Sequence, residues 1–288
     1  MLCFKINKND SGQKAERFLF KATIAPSSLI YKAFRKKDVK IGGKWIKEGY
    51  VLSEGEELTI YISDEFLPKA EKLNSRLMPE VVYEDENIVV MNKPAGLKSQ
   101  PDRPGEDALS QRLKAYLQSK GEYDPEGESS FAPALCNRLD RNTDGLVIGA
   151  KNAEALREMN LAIKERHVRK MYRCITEGVP EPRTSTLTST IKKDASINKS
   201  EVGKGGKAVS LTYRVTGEKN GRAAVEVELH TGRSHQIRAQ LASIGCPIVG
   251  DSKYGAASGG GQKLTAFRLE FHIETGALAY LNGKVIEL

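Results

Sequence analysis

Apolar and polar positions alternate along this chain in two rhythms, one close to 3.6 residues and one close to two, and the switches between them mark its elements. Over 13–23, Ala15, Phe18, Leu19 and Ala22 recur at helical spacing. Ser27 or Ser28 is read as the cap of a second helix that carries Ile30, Ala33 and Phe34 on one face. Gly42-Gly43 then predicts a tight hairpin turn between two short strands, and a third strand is expected over 57–62. Together, residues 12–62 read as one compact unit.

Residues 63–80 are polar, contain Pro68 and Pro79, and carry Lys69, Lys72 and Arg76, which predicts a linker. A second domain, 81–288, starts where β-branched residues set in. Strands are expected at 81–83 and 88–91, the second broken sharply by Lys93-Pro94-Ala95-Gly96. Helical patterns follow at 108–117 and 153–164, with a polar loop at 121–130 between them. The second half alternates as strands at 170–176, 208–215, 223–230 and 266–271, interrupted by a helical pattern at 234–244. The glycine- and lysine-rich stretch 192–207 is expected to be a mobile loop able to touch a phosphate backbone. The pattern as a whole predicts an α+β fold.

Charge narrows the choice of partner. Lys and Arg outnumber Asp and Glu by 45 to 37, a net charge of +8, which favours a polyanion. No apolar run is long enough to span a bilayer, and no basic amphipathic helix with bulky apolar anchors stands out, so no membrane role is expected. The first residues lack the apolar core of a signal peptide, and a cytoplasmic location is expected. Cys3, Cys136, Cys174 and Cys246 lie far apart with no C-x-x-C pair, a usage that suggests neither zinc nor a disulfide framework. His230 and His235 are read as ordering a loop, and no metal site is expected.

The densest chemistry sits at 137–145, where Asp140 lies between Arg138 and Arg141 just ahead of the apolar run 146–150. A charged carboxylate pinned beside a core strand is a candidate nucleophile or base. Cys136, four residues earlier, has no histidine beside it in sequence to raise its thiolate fraction and is not read as a nucleophile.

Several spaced motifs, in order, resemble the RluA-type pseudouridine synthases: Tyr83 to Asn87 through Asn92-Lys93-Pro94-Ala95-Gly96, then Arg138-Leu139-Asp140-Arg141 with Thr143 and Gly145, then Lys170-Met171-Tyr172, then 230–238, and finally Gly250-Asp251 with Tyr254-Gly255. The front unit resembles an S4 RNA-binding domain, with Arg35, Lys36, Lys37, Lys40 and Lys44 clustered on a helix end and the adjoining hairpin. The resemblance implies a small S4-like domain ahead of a catalytic domain on a mixed, mainly antiparallel sheet with flanking helices. It implies isomerisation of uridine to pseudouridine in structured RNA, with 23S ribosomal RNA as the expected substrate and no cofactor; a monomer is expected.

By the same resemblance Asp140 is the catalytic aspartate, Arg238 its pairing arginine, and Tyr172 the tyrosine that stacks on uracil and helps move the C5 proton. Arg138 helps fill the gap left by the flipped-out uridine, and Leu269 lies under the base. Whether the carboxylate adds to the base, attacks the sugar or removes a sugar proton stays open. Asn137, Asn142, Asp144 and Gln240 depart from the family's usual histidine, aspartate, serine and histidine. Two other readings remain: a catalytically silent RNA-binding or ribosome-assembly protein on the same scaffold, and a synthase acting on tRNA.

Overall fold

The computed structural model describes residues 1–68, 77–194, 196, 199–203 and 205–288; Lys69, Lys72 and Arg76 of the expected linker lie outside the described residues. At the N-terminus come β1 (Leu2–Lys5), α1 (Ala15–Ala22), α2 (Ser27–Arg35), β2 (Val39–Ile41), β3 (Lys44–Trp45) and β4 (Glu57–Ile60). The strands form an antiparallel sheet in the order β1-β4-β2-β3. One face of it, with Leu2, Phe4, Val39, Leu58 and Ile60, packs on Phe18, Leu19, Ile30 and Phe34 of the two helices. Gly42 and Gly43 both take positive φ, the backbone a two-residue hairpin loop requires.

Two details differ from the sequence reading. Neither Ser27 nor Ser28 caps α2; Pro26 holds the cap position, and its carbonyl receives the amides of Leu29 and Ile30. The unit also starts earlier than residue 12, because the alternation of Leu2, Phe4 and Ile6 forms β1 and closes the sheet against β4.

The larger unit contains β5 (Glu80–Glu84), β6 (Ile88–Lys93), α3 (Leu109–Ser119), β7 (Ala134–Leu135), β8 (Asp144–Ala150), α4 (Ala153–Lys164), β9 (Val168–Glu177), β10 (Thr184–Asp194), β11 (Lys199–Val202), β12 (Lys207–Lys219), β13 (Arg222–Leu229), α5 (Gln236–Ser243), β14 (Leu264–Phe271) and β15 (Val285–Glu287). Among the described residues these strands make an 11-stranded sheet, whose main path runs β11-β10-β12-β13-β9-β14-β8-β6-β5. Every pairing in it is antiparallel except β8 with β14. In β6 and β8 apolar residues run without a polar break because both faces are covered. Val89, Met91 and Val147 meet α3 and α5 through Leu113 and Leu241, whereas Ile88, Val90 and Ile148 meet α4 through Ala155 and Met159.

Gly145 makes the parallel pairing possible. Its φ is +117°, and a Cβ there would lie 2.2 Å from the carbonyl oxygen of Ala266. Any side chain would therefore separate β8 from β14 just after the Asp140 loop.

Much of the described part of 192–207 is strand, where an open loop was expected. β10 continues to Asp194 and pairs with β11 from Ile191↔Val202 to Asp194↔Lys199, and β12 begins at Lys207. The signal lay just before this stretch, in the alternating Thr184, Thr186, Thr188 and Thr190 of β10. Ile191 packs on Val209 and Ala239, and Gln240 Nε2 adds donations to the Leu187 carbonyl and to Ser189 Oγ, both at 3.0 Å.

The polar loop 121–130 docks the N-terminal unit. Asn7 and Asn9 donate to the two oxygens of Glu128 at 3.0 and 2.8 Å, Gln13 donates to Ser130 Oγ at 2.8 Å, and Ser130 donates to Asp10. Asn9 also accepts the Ala153 amide at the start of α4. Burial pushes the Asp10 carboxyl up, despite its hydrogen bonds to Ser130 and Asn7. Glu128→Ala removes the acceptor shared by two asparagines. It is expected to raise the rate of protease cleavage within 121–130 several-fold while leaving overall secondary structure unchanged, read by limited proteolysis alongside circular dichroism.

Candidate active site

Asp140 lies in the turn between β7 and β8, with its side chain about a quarter exposed, at the mouth of a cleft of about 320 Å³. The turn is held from behind. Ser99 Oγ accepts the Leu139 amide and donates to the Leu139 carbonyl, at 3.1 and 2.8 Å. Lys93, fully buried, gives its three ammonium protons to the carbonyls of Pro94, Leu97 and Arg141 at 3.0, 2.7 and 3.1 Å. Burial pushes its ammonium down to about 8, while Asp144 and Asp140 pull the other way, so it stays charged at neutral pH. Lys93→Met would leave the buried Leu97 carbonyl and two partly buried ones without their donor; a loss of about 2 kcal/mol is expected in denaturant unfolding.

Arg141 completes that support. Its carbonyl accepts the Gly96 amide at 2.8 Å, and its Nε donates to the Gly96 carbonyl at 3.1 Å. Its position is set by the backbone turn, and Asp140 takes its partner from elsewhere.

That partner is Arg238, on α5. Its Nη1 donates to Asp140 Oδ2 at 3.0 Å, while Nε and Nη2 grip the two oxygens of Asp251 at 2.6 and 2.8 Å. Burial opposes the Arg238 charge, but Asp251 first and Asp140 second more than offset it and raise its pKa. One face of the guanidinium also lies 4.9 Å from the Tyr254 ring centroid. A fork fixed at both ends aims its remaining arm, which is how Asp140 gains a set direction.

His235 stands at the N-cap of α5 in the left-handed conformation, φ 55°, ψ 20°. Its Nε2 lies 3.9 Å from Asp140 Oδ2 and its Nδ1 lies 3.1 Å from the Tyr254 hydroxyl. Tyr254 gives its only proton to the Ser200 carbonyl and accepts the Ser200 amide. The imidazole must then donate through Nδ1, which leaves Nε2 of the neutral ring unprotonated and facing the cleft. Burial first, with Arg238 and Lys253, pushes the His235 pKa down against the pull of Asp140 and Asp251.

A histidine whose folded pKa lies below its unfolded value of about 6.5 binds fewer protons folded than unfolded, so stability falls as pH drops through that window. Acidification from pH 7 to 5 is expected to lower the melting temperature more in the wild type than in His235→Gln. Equal slopes in thermal scans would contradict this.

Tyr172, on β9, is buried and lines the cleft with Lys170 and Leu264. Burial, and then the Asp140 charge, raise the Tyr172 pKa well above that of free tyrosine, so the ring stands as a neutral phenol. Arg138 is exposed at the rim together with Arg233. Leu269 does not line the cleft; it is buried with Phe271, Val168 and Met159 on the α4 side of the sheet, and Leu264 of the same strand occupies the cleft wall. Cys136 reaches the cleft lining, but burial pushes its thiol up to about 12. Arg35, Lys36, Lys37 and Lys44 are exposed, and Lys40 half-buried, at the end of α2 and along the β2–β3 hairpin.

Three of the departing residues hold structure around the site. Asn137 Oδ1 accepts the Ile148 amide at 2.8 Å, Asp144 accepts from Thr265, and Gln240 ties α5 to β10. Sequence reasoning gave no role to Asp251, Lys93 or Tyr254 and read His235 only as ordering a loop, although all four lay inside quoted motifs. Their signal was a charged or aromatic residue among small ones, as in Gly250-Asp251. Among the described residues no group of three or more His, Cys, Asp or Glu side chains is placed to hold a metal ion.

The mainly antiparallel sheet with helices on both faces is shared with solved pseudouridylate synthases. The solved human RNA Pseudouridylate Synthase Domain Containing 4 shares the fold with a TM-score of 0.58 and 22% identity, covering 73% of this chain and 87% of that one. The RNA pseudouridylate synthase family model matches residues 87–243. An uncharacterized RNA pseudouridine synthase of Mycoplasma capricolum is 33% identical over 99% of this chain and 97% of its own length. The Ribosomal large subunit pseudouridine synthase C of Rickettsia bellii is 33% identical over 79% and 77%. The chain belongs to the RNA pseudouridylate synthase family, in its RluA-type branch, and is an RNA pseudouridine synthase.

Proposed function

We propose that this enzyme converts uridine to pseudouridine in large-subunit ribosomal RNA and that Asp140 is its catalytic carboxylate. The observation that carries the reading is the Asp140–Arg238–Asp251 chain, which aims one charged oxygen into a cleft sized for a single nucleotide. Relatives named as large-subunit synthases support ribosomal RNA as the substrate. The S4-like reading of the N-terminal unit, with Arg35, Lys36, Lys37, Lys40 and Lys44 as phosphate contacts, fits a large structured target. Such a substrate places the enzyme in the cytosol.

The reaction breaks the bond from C1′ to N1 and forms one from C1′ to C5. N1 gains a proton and C5 loses one, so no electrons are exchanged and the isomerisation needs no cofactor. Asp140 supplies the nucleophile or base. A uridine must leave its stack to reach it, and the exposed Arg138 at the rim is suited to fill the vacancy. Tyr172, a neutral phenol, can offer its ring to the uracil and its proton to a developing charge. The gap between Asp140 Oδ2 and the unprotonated His235 Nε2 presents two acceptors to one donor, an arrangement suited to a ribose hydroxyl.

Mapping pseudouridine across total RNA of cells lacking the gene tests the substrate. At least one large-subunit site is expected to disappear and to return with the wild-type gene. Loss confined to tRNA would overturn the ribosomal assignment, and no loss at all would overturn the cellular function.

A further inference from the structure

The N-terminal sheet has a second face, opposite the one that packs on α1 and α2. Strand register fixes which residues share it. Lys40 on β2 pairs with Trp45 on β3 and with Thr59 on β4, and paired residues point the same way; Tyr61, two positions beyond Thr59, follows. Trp45 is 47% and Tyr61 48% exposed. Two large aromatic rings left open on one sheet face are costly to solubility unless something uses them.

The surroundings say what that is. Lys37 and Lys47 place their ammonium groups 4.9 and 5.8 Å from the Trp45 ring centroid, and Lys40 lies 4.8 Å from that of Tyr61. Arg35, Lys36 and Lys44 continue the positive charge to one side. Cations interleaved with exposed rings match a polyanion that also offers flat apolar faces. Paired RNA does not offer them, since its bases are stacked inside the helix and its surface is phosphate and 2′-hydroxyl. Unpaired RNA does.

We propose that the open face of the N-terminal sheet is a stacking platform for unpaired nucleotides of the RNA substrate, with bases on Trp45 and Tyr61 and phosphates on Lys37, Lys40 and Lys47. Two strand spacings separate the Trp45 and Tyr61 strands, roughly 10 Å, a span that suits splayed nucleotides better than neighbours in a continuous stack. The lysines that cover the rings in the free protein have long flexible stems and swing to the phosphates as the bases arrive. This deepens the proposal that the N-terminal unit grips RNA by naming single-stranded segments as its ligand, and it does not depend on the role of Asp140.

Trp45 is the only tryptophan in the chain, so its emission reports on this face alone. Full-length protein titrated with a single-stranded oligoribonucleotide of mixed sequence is expected to show saturable quenching, and a duplex of equal length much less. Trp45→Ala and Tyr61→Ala, each checked for fold by circular dichroism, are expected to bind fluorescently labelled single strand about tenfold more weakly by anisotropy, with Trp45→Phe recovering most of the loss. Several outcomes would overturn the platform: no quenching at saturation, equal quenching by duplex, unchanged affinity in both alanine variants, or quenching by anionic phosphatidylglycerol vesicles but not by RNA. Pseudouridine formation by the wild type is scored separately. Its failure would count against the proposed reaction and leave the binding result standing.

Discussion

Asp140→Asn is expected to fold, to bind RNA with nearly wild-type affinity, and to form pseudouridine at least ~10⁴-fold more slowly, the scale seen when the nucleophile of an enzyme is removed. Asparagine keeps the shape of the side chain and can still accept the hydrogen bond from Arg238 Nη1. The other two guanidinium bonds, to Asp251, are untouched, so the arginine is not stranded. What is lost is the charge and the nucleophilic or basic oxygen. RNA affinity should survive because most of it comes from phosphate contacts with cations away from the cleft. Tritium release from RNA labelled at uridine C5, under single-turnover conditions, reads the chemical step directly. Residual turnover within tenfold of wild type would remove Asp140 from the mechanism.

Arg238→Met is expected to have the second largest effect, on stability and rate together. Asp251 is 2% exposed, and its two oxygens both depend on this one guanidinium for charge-assisted bonds. Breaking a buried pair from one side leaves an uncompensated charge, a loss on the order of 3–5 kcal/mol. The rate should fall at least ~10³-fold, because Asp140 loses the group that aims it. Arg238→Met combined with Asp251→Leu separates the two effects. The double variant removes both charges and should regain much of the stability in denaturant melts while staying as slow as the single variant. Recovery of activity along with stability would mean that Arg238 serves the fold and not the carboxylate.

How much of this was legible beforehand depended on whether a residue's role is local. The helices α3 and α4 and the strands β6, β9 and β13 follow from periodicity, since each buries a face against its immediate neighbours. Asp140, Tyr172 and Arg238 were found through motif spacing, and the fold brings all three to one cleft. Leu269 was misplaced because β14 serves two cores: Leu264 packs with Tyr172 and Ile237 beside the cleft, and Leu269 with Phe271 and Met159 against α4. A register shift between Ala266 and Arg268 breaks the alternation from which the sequence could have told them apart. The pairing of β10 with β11 was missed because the contacts that hold it come from far along the chain: Ala239 and Gln240, and Tyr254 reaching the Ser200 backbone. Asp251 was quoted without a role because nothing in sequence says that an arginine thirteen residues earlier turns its fork toward it.

The separations within the Asp140–Arg238–Asp251 chain also bear on the order in which the enzyme becomes competent during synthesis. The carboxylate and its guanidinium are 98 residues apart, and the second carboxylate comes 13 residues later still. β14, which lies beside the Asp140 loop through Gly145, follows after that. A nascent chain that has emerged only through β13 presents Asp140 without Arg238, next to a sheet that lacks β14, the strand joining β9 to β8. Competence therefore arrives late and at once, when the last fifth of the chain closes over a half-built cleft.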